Sequence, residues 1–386
     1  MNLTLSSREE RDSPGSTLSQ LMTASRKATP RDVRVNNRMM IFSQLFPKAS
    51  LSRAGIGRLT GLSKASVSEV VSDLHSNHIL EEVGRETQNR RGKKGTLLRV
   101  DTAHWNIISV DLSQPYLIQG AIITITGAIL ERTEMSMEQP TDITTCKVVE
   151  LCRLLMAKAA GEILGFGIAV PGIVNGAGVV LKSTTLGWNK VHLKSIIEKE
   201  FNKPAVIDHD AHSALLAERY FGKGTPNTLF IQLTLGVGAS LLIEDSTVLG
   251  VNHHAGEIGH VTVNGNGPQC ICGKRGCLES LVSLSAIRSR LSQPGSDRLE
   301  VLTQSGQYLG QALAFPVNLL DIDDIVVYGP PDIVGPQFLH SVKRTLIEYG
   351  STNSPHHYCV RRCECGSDIV MLGESISVLQ LTLANL

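Results

Sequence analysis

Ala255-Gly256-Glu257-Ile258-Gly259-His260, followed by Cys270-Ile271-Cys272-Gly273-Lys274-Arg275-Gly276-Cys277-Leu278-Glu279, is the stretch on which the reading of this chain turns. One histidine and three cysteines fall within 18 residues, in the spacing His-x9-Cys-x-Cys-x4-Cys. Four nitrogen and sulfur donors are what a tetrahedral structural zinc site takes, and with no position left open such an ion holds the chain rather than reacts. Gly273 and Gly276 let the backbone turn so that thiols close in sequence can converge on one ion. His260, Cys270, Cys272 and Cys277 are therefore expected to bind Zn2+. The competing reading is a set of reduced cysteines in a loop. The remaining five cysteines carry less: Cys363-Glu364-Cys365, beside Arg361 and Arg362, has the look of a redox or second metal site, but such residues are more often ordinary.

Around that stretch, from about Trp105 onward, strand-like runs alternate with helices. Strands are expected at Ile107–Leu112, Ile118–Ile125, Ile163–Val170, Ala205–Ile207, Thr228–Thr234 and Ile325–Tyr328. Helices are expected at Thr144–Ala160, Ala211–Tyr220 and Gly306–Leu319. Two hairpin-like strands before the first long helix argue against a simple doubly wound sheet. They suit an α/β layout in which a hairpin cups a nucleotide's phosphates. No internal repeat is visible.

Residues 31–100 read differently. A first helix is expected from Val35 to Phe46, ending before Pro47, and a second from Ser52 to Gly61. A third follows Ser63, a good N-cap; its Val67, Val70, Val71 and Leu74 fall on one buried stripe. Two strands, Ile79–Val83 and Thr96–Val100, then flank a basic tip. That order is a winged helix-turn-helix, whose third helix offers its first turn to base edges in the major groove. Here that turn holds Ser63, Lys64, Ala65, Ser66, Ser68 and Glu69. The tip from Arg85 to Gly95, with Arg90, Arg91, Lys93 and Lys94, carries five positive charges against one negative and suits phosphates or the minor groove. A protein-docking module with a solvated charged loop is the bland alternative.

Charge separates the same two regions. Residues 31–100 hold 13 Lys/Arg against 6 Asp/Glu, whereas residues 101–386 hold 20 against 27, so the net charge of +1 hides a basic head on an acidic body. Only the head is expected to meet a polyanion, double-stranded DNA. With 386 residues the chain has room for two or three domains. We expect a flexible tail at 1–30, rich in Ser, Thr and charge, a DNA-binding domain at 31–100, and the remainder at 101–386. No apolar run is long enough for a membrane span, and the polar N-terminus lacks an apolar segment for secretion. The expected compartment is the cytoplasm, where the eight cysteines stay reduced.

Gly-Glu-Ile-Gly-His at 256–260 with Cys-x-Cys-Gly-x-x-Gly-Cys-Leu-Glu at 270–279 resembles the signature of the ROK family of repressors and sugar kinases. The head, in Leu51-Ser52-Arg53 through Thr60-Gly61-Leu62-Ser63 and Ser66-Val67-Ser68, is similar to the winged helix of the repressor branch. The resemblance spans about residues 31–386. It implies a winged helix-turn-helix joined to an actin-like, two-lobed sugar kinase body.

The resemblance also implies a sugar site. Val170-Pro171-Gly172 falls in its sugar-side loop, with Gly187-Trp188-Asn189 downstream, and His209, Asp210, Glu257, His260 and Glu279 at its hydroxyl-binding positions. Carboxylates and amides suit vicinal hydroxyls because they hydrogen-bond them in pairs and reject analogues lacking them. His260 would serve both zinc and sugar. His209 stands where the family has Asn, so it and His212 are equally readable as structural substitutions.

The departures matter most. The family's kinases have Asp-x-Gly-x-Thr in the first hairpin; here the place reads Asp111-Leu112-Ser113-Gln114-Pro115, without the Gly and Thr and with a proline that has no N–H. Gly236-Val237-Gly238-Ala239 keeps part of a second phosphate loop, and Val327-Tyr328-Gly329-Pro330-Pro331 is what remains of a third motif. Phosphoryl transfer depends on positioning and electrostatics, so no kinase chemistry is expected, with Asp210 a vestige of the catalytic base. The resemblance implies a repressor, a homodimer or homotetramer, that answers to a sugar or sugar-phosphate effector. A partner protein is the alternative signal, and a sugar kinase with an accessory head the alternative function.

Overall fold

The computed structural model of the chain describes residues 29–85, 95–350 and 357–386. The expected tail, its last two residues apart, and the wing-tip residues Arg90, Arg91, Lys93 and Lys94 lie outside them.

The first helix, α1 (Pro30–Leu45), begins earlier than the expected Val35. The Thr29 hydroxyl accepts from the Asp32 N–H at 3.2 Å and the Asp32 carboxylate accepts from the Thr29 N–H at 2.8 Å, a capping box with Pro30 in the first turn. Pro30 thus starts a helix rather than ending a tail. α2 (Arg53–Thr60) is capped by Ser52 and closes on Gly61, and α3 (Lys64–Ser76) starts at Ser63. The expected stripe of Val67, Val70, Val71 and Leu74 is buried, in one cluster with Ile41, Leu45 and Ile56. Strands β1 (Leu51–Ser52), β2 (Leu80–Arg85) and β3 (Thr96–Val100) pair antiparallel in the order β1-β3-β2. These are the elements of a winged helix-turn-helix.

The body is built on two five-stranded sheets. The first holds β4 (Trp105–Asp111), β5 (Leu117–Thr124), β6 (Ile129–Ser136), β7 (Glu162–Val170) and, after a small sheet of β8 (Ile173–Val174), β9 (Val180–Ser183) and β10 (Trp188–Val191), β11 (Ala205–His209). The second holds β12 (Thr228–Leu233), β13 (Val237–Ile243), β14 (Ser246–Thr247), β15 (Asp324–Tyr328) and β16 (Cys359–Arg362). Their orders are β11-β7-β4-β5-β6 and β14-β13-β12-β15-β16. In each, a central strand pairs antiparallel with the next strand of its hairpin and parallel with a crossover strand. One strand plan therefore occurs twice. Sequence inspection finds no repeat because the plan is a topology, and the two sets of side chains differ.

Helices α4 (Thr145–Lys158) and α5 (Leu193–Phe201) accompany the first sheet. α6 (Asp210–Phe221) follows β11; α7 (Leu278–Val282), α8 (Leu284–Leu291), α9 (Arg298–Leu320) and α10 (Pro336–Tyr349) accompany the second; α11 (Ile369–Asn385) closes the described chain. α6 and α11 sit between the sheets: Ala214, Leu215, Ile369 and Val370 share a core with Ala169 of the first sheet and Phe230 and Val326 of the second. The head's core is continuous with the body's, since Val378, Leu379 and Leu383 of α11 pack in the cluster that holds Ile41 and Leu45. Among the described residues, no helix is long and apolar enough to cross a membrane.

Candidate metal cluster and ligand cleft

The Cys-rich segment folds as a tight knuckle. Cys270 N–H donates to Lys274 O at 2.8 Å and Gly276 N–H to Pro268 O at 2.8 Å, so the chain doubles back between the cysteines. Gly276 has φ +64°, and a Cβ there would stand 1.5 Å from Asn264 O, so only glycine fits. The result brings one ligand atom each of His260, Cys270, Cys272 and Cys277 within 4.8 Å of one another. The His260 Nδ1 is 3.7 Å from Cys270 Sγ, and Cys272 Sγ is 3.5 Å from Cys277 Sγ. All three thiols are free of disulfides, with Cys270 and Cys277 buried. This His/Cys cluster is fit to bind a metal ion.

The Cys363-x-Cys365 pair is a different object. Cys363 and Cys365 also gather with a carboxylate, Glu218. Both Glu218 oxygens are already engaged: Oε1 by Arg361 Nη1 at 2.6 Å and the Lys223 N–H at 3.2 Å, Oε2 by the Cys363 thiol at 3.0 Å and the Glu364 and Cys365 N–H groups at 3.0 and 3.3 Å. Burial works to raise the Glu218 carboxyl, but the hydrogen bonds from Cys363 and Arg361 outweigh it and hold it below its ordinary value. It is a satisfied hub beneath β16.

The cleft lies between the lobes where β11 runs into α6. A cavity of about 330 Å³ is lined there by Gly172, Asn175, Asp208, His209, His212 and Glu257, with Ser377 and Gln380 from α11. Such a volume is at the small end of the range of about 300–1,000 Å³ for ligand sites. His209 caps α6: its Nδ1 accepts from the Ala211 N–H at 3.3 Å, which puts the ring proton on Nε2, 3.3 Å from Asp210 Oδ1. Asp208 takes the Ser377 hydroxyl at 2.7 Å and faces His212 Nδ1 at 3.4 Å. Burial alone would raise the Asp208 carboxyl, yet His212 and the bonds from His212 and Ser377 hold it below its ordinary value.

Of the residues expected at a sugar site, the cavity gathers His209 and Glu257. Asp210 is buried beside it and accepts from Gln232 Nε2 at 2.7 Å. His260 turns to the metal cluster, and Glu279 Oε2 accepts from the Val237 N–H at 3.2 Å. Asp208 carries no expectation from the sequence and His212 only that of a structural substitution, although their i, i+4 spacing is open to reading. Ser377 and Gln380 carry no local signal at all.

A second cavity, about 620 Å³, runs between the turn Ser113-Gln114-Pro115 and the turn Thr234-Leu235, with Gly329, Pro330, Arg288 and Arg362 on its walls. The Ser113 N–H donates to Asp111 Oδ1 at 2.8 Å, so it is turned inward, and Pro115 has none to offer. Asp111 is buried, and that burial pushes its carboxyl up to about 6, with the charge of Asp210 adding to the rise. The first turn thus gives few donors to an anion, although Arg288 and Arg362 lend the cavity positive charge.

On the head, Ser63, Lys64, Ala65 and Glu69 are exposed and Ser66 and Ser68 half-buried. The Ser63 hydroxyl accepts from the Ser66 N–H at 3.1 Å, which fixes the start of α3.

Comparisons with known proteins agree with this architecture. The ROK family profile matches residues 108–380. A relative described as "Xylose repressor" from Bacillus subtilis (strain 168) is 27% identical over 369 residues, covering 90% of this chain and 96% of its own. Among solved structures, "the ROK family transcriptional regulator, homolog of E.coli MLC protein" superposes with a TM-score of 0.77 at 20% identity, over 91% of this chain and 97% of that one. A ROK family glucokinase from Streptomyces griseus, in complex with glucose and AMPPNP, gives 0.61 at 22% identity over 71% of this chain and 99% of that one. The structural likenesses establish the fold: head plus body in the first case, the two-lobed actin-like body alone in the second.

Proposed function

The chain belongs to the ROK family, and from that premise we propose that it is a transcriptional repressor of carbohydrate uptake or catabolism genes, controlled by a small sugar or sugar phosphate. The carrying observation is the surface of α3. It buries Val67, Val70, Val71 and Leu74 and leaves Ser63, Lys64 and Ala65 exposed on the turn that a helix-turn-helix offers to a major groove. Arg90, Arg91, Lys93 and Lys94, outside the described residues, supply the positive charge that this reading assigns to phosphate contacts. The body supplies the effector pocket: His209 and Glu257, with Asp208 and His212, hydrogen-bond vicinal hydroxyls. Asp210 and Glu279 support that wall from behind and serve binding rather than catalysis. D-xylose is the first effector to test, because a relative matched through head and body is described as a xylose repressor. His260, Cys270, Cys272 and Cys277 hold a structural Zn2+, and the protein works as a homodimer or homotetramer in the cytoplasm, reading a two-fold operator.

Mobility shift and footprinting on duplexes from the region upstream of its own gene, at about 0.15 M salt, test this. We expect a protected two-fold site, released as D-xylose is titrated in. Sequence-independent binding alone, or none, overturns the reading. A second reading, an active sugar kinase, draws on the buried Asp210 beside the cleft; ADP release with D-xylose or D-glucose well above background would establish it.

A further inference from the structure

One helix joins the pocket to the head. Ser377, Gln380 and Leu381 of α11 form part of the pocket wall. A turn further on, Leu383 O accepts from Arg38 Nη1 at 2.6 Å and Leu386 O from Arg38 Nη2 at 2.7 Å. Arg38 belongs to α1 and is only 5% exposed. The same Nη2 is 2.8 Å from the carboxylate of Asp73, on α3. A single guanidinium thus ties the end of the helix behind the pocket to the helix that faces DNA. The last carbonyls of any helix lack partners within it and sit at the negative end of its dipole, so a buried cation is well placed there.

A second contact runs alongside. Gln380 Nε2 donates to the Tyr220 hydroxyl at 3.4 Å. Tyr220 and Phe221, at the end of α6, pack on Phe46 next to the end of α1, with ring centroids 6.2 and 5.6 Å apart.

α11 has little freedom to absorb a push locally. A Cβ on Gly373 would stand 1.7 Å from Ser213 O of α6, and one on Gly167 of β7 would stand 2.8 Å from Glu374 Cβ. Elements packed this closely shift as units rather than deform.

We propose that α11 is the coupling element of this protein: the state of the pocket is read at Ser377 and Gln380 and conveyed through Arg38 to α3. The inference rests on the cavity being the effector pocket and gives that pocket its route to DNA. By linkage, a head held on DNA changes the pocket's affinity by the same factor.

The test fills the pocket from the helix itself, without a ligand. In the full chain, Gln380→Trp is expected to change hydrogen exchange of the α3 amides about fivefold or more. The change should vanish when Gln380→Trp is compared with its parent in an Arg38→Met background. Unchanged exchange in β12 and β15 identifies folded variants, and Leu381→Phe replaces Gln380→Trp should the latter not fold. Unaltered α3 exchange in a folded pocket-filling variant, or a change that persists with Arg38→Met, overturns the proposal. D-xylose failing to bind the wild type by calorimetry would remove that effector while leaving the pocket-filling result to decide the coupling.

Discussion

The β4–β5 and β12–β13 hairpins hold the same place in two sheets of one strand plan, and their turns face a common cavity. They differ in what holds them. The first is closed on itself: the Ser113 N–H folds back onto Asp111, Pro115 has no donor, and the buried Asp111 carboxyl is pushed up to about 6. The second is held from outside. Gly236 lies so close to Glu279 that a Cβ would stand 2.7 Å from its Oε2, and the Val237 N–H donates to the same oxygen. Glu279 sits in the first turn of α7, which starts at Cys277 of the metal cluster. The cysteine knuckle therefore sets the geometry of one hairpin and leaves the other alone. One turn spends a donor on its own Asp111, whereas the other takes a brace from the helix that follows the cysteine knuckle, so two places of one strand plan are held by different means.

Breaking the external support should have the largest effect. Cys277 is fully buried and supplies one of four donors. With Zn2+ held there as proposed, Cys277→Ser is expected to lose it by elemental analysis and to destabilise the chain by about 4 kcal/mol or more. Full metal content in the variant would refute the ligand assignment. Cys363→Ser should leave the metal content unchanged, since the Glu218 oxygens beside it are already taken by Arg361 and three backbone N–H groups.

The first hairpin is probed by pH. Asp111 has a folded pKa of about 6 against 3.8 for the free group, raised mainly by burial. A raised carboxyl contributes stability that is full below the unfolded value and is lost as pH rises through the folded one. Asp111→Asn should therefore be more stable than wild type at pH 7, by roughly 2–3 kcal/mol, and the gap should close between about pH 6 and 4. Urea midpoints at a series of pH values measure it; a constant gap would show that Asp111 is not the titrating group. Glu374, buried and raised well above its ordinary value chiefly by burial, also feels the Asp111 charge, so its own titration eases slightly in the variant and adds to the gap in the same direction.

How far these features could be read beforehand follows from where their determinants lie. The head was legible because its caps and its period are local: Ser52, Ser63 and the stripe from Val67 to Leu74 act within a few residues of themselves. The metal cluster was legible for the same reason. β6 was missed because its residues alternate between half-buried and exposed, with Glu131, Arg132 and Glu134 masking an edge strand. α11 was missed because it is buried nearly all round, so no 3.6-residue period shows, while its Glu374, Ser375 and Ser377 look like surface residues. The pocket suffers most from this. Ser377 meets Asp208 across 169 residues of sequence, and nothing local to either announces the other.

Gly236→Ala sharpens the comparison at lower cost. The clashing atom is the far end of a flexible side chain, so Glu279 can swing away at the loss of its bond to Val237. About 1 kcal/mol of stability is expected to go, together with measurable sugar affinity, because the hairpin behind Asp210 loses its brace. Calorimetric titration with D-xylose reads the second effect; unchanged affinity would mean that Glu279 stands apart from the pocket.

The smallest effect is expected where the first hairpin is returned toward a phosphate-binding shape. Pro115→Gly restores one N–H to the turn and adds freedom to the unfolded chain, worth about 0.5–1 kcal/mol of destabilisation. It does not release the Ser113 N–H from Asp111, nor does it supply the missing Thr hydroxyl. Phosphoryl transfer needs donors fixed around the phosphate before reaction, and one recovered amide on a loosened turn does not provide that. ADP release in the presence of D-xylose or D-glucose should therefore stay at background. Turnover in this variant would mean that a single proline separates the chain from its kinase relatives, and that the two hairpins differ less than their hydrogen bonds imply.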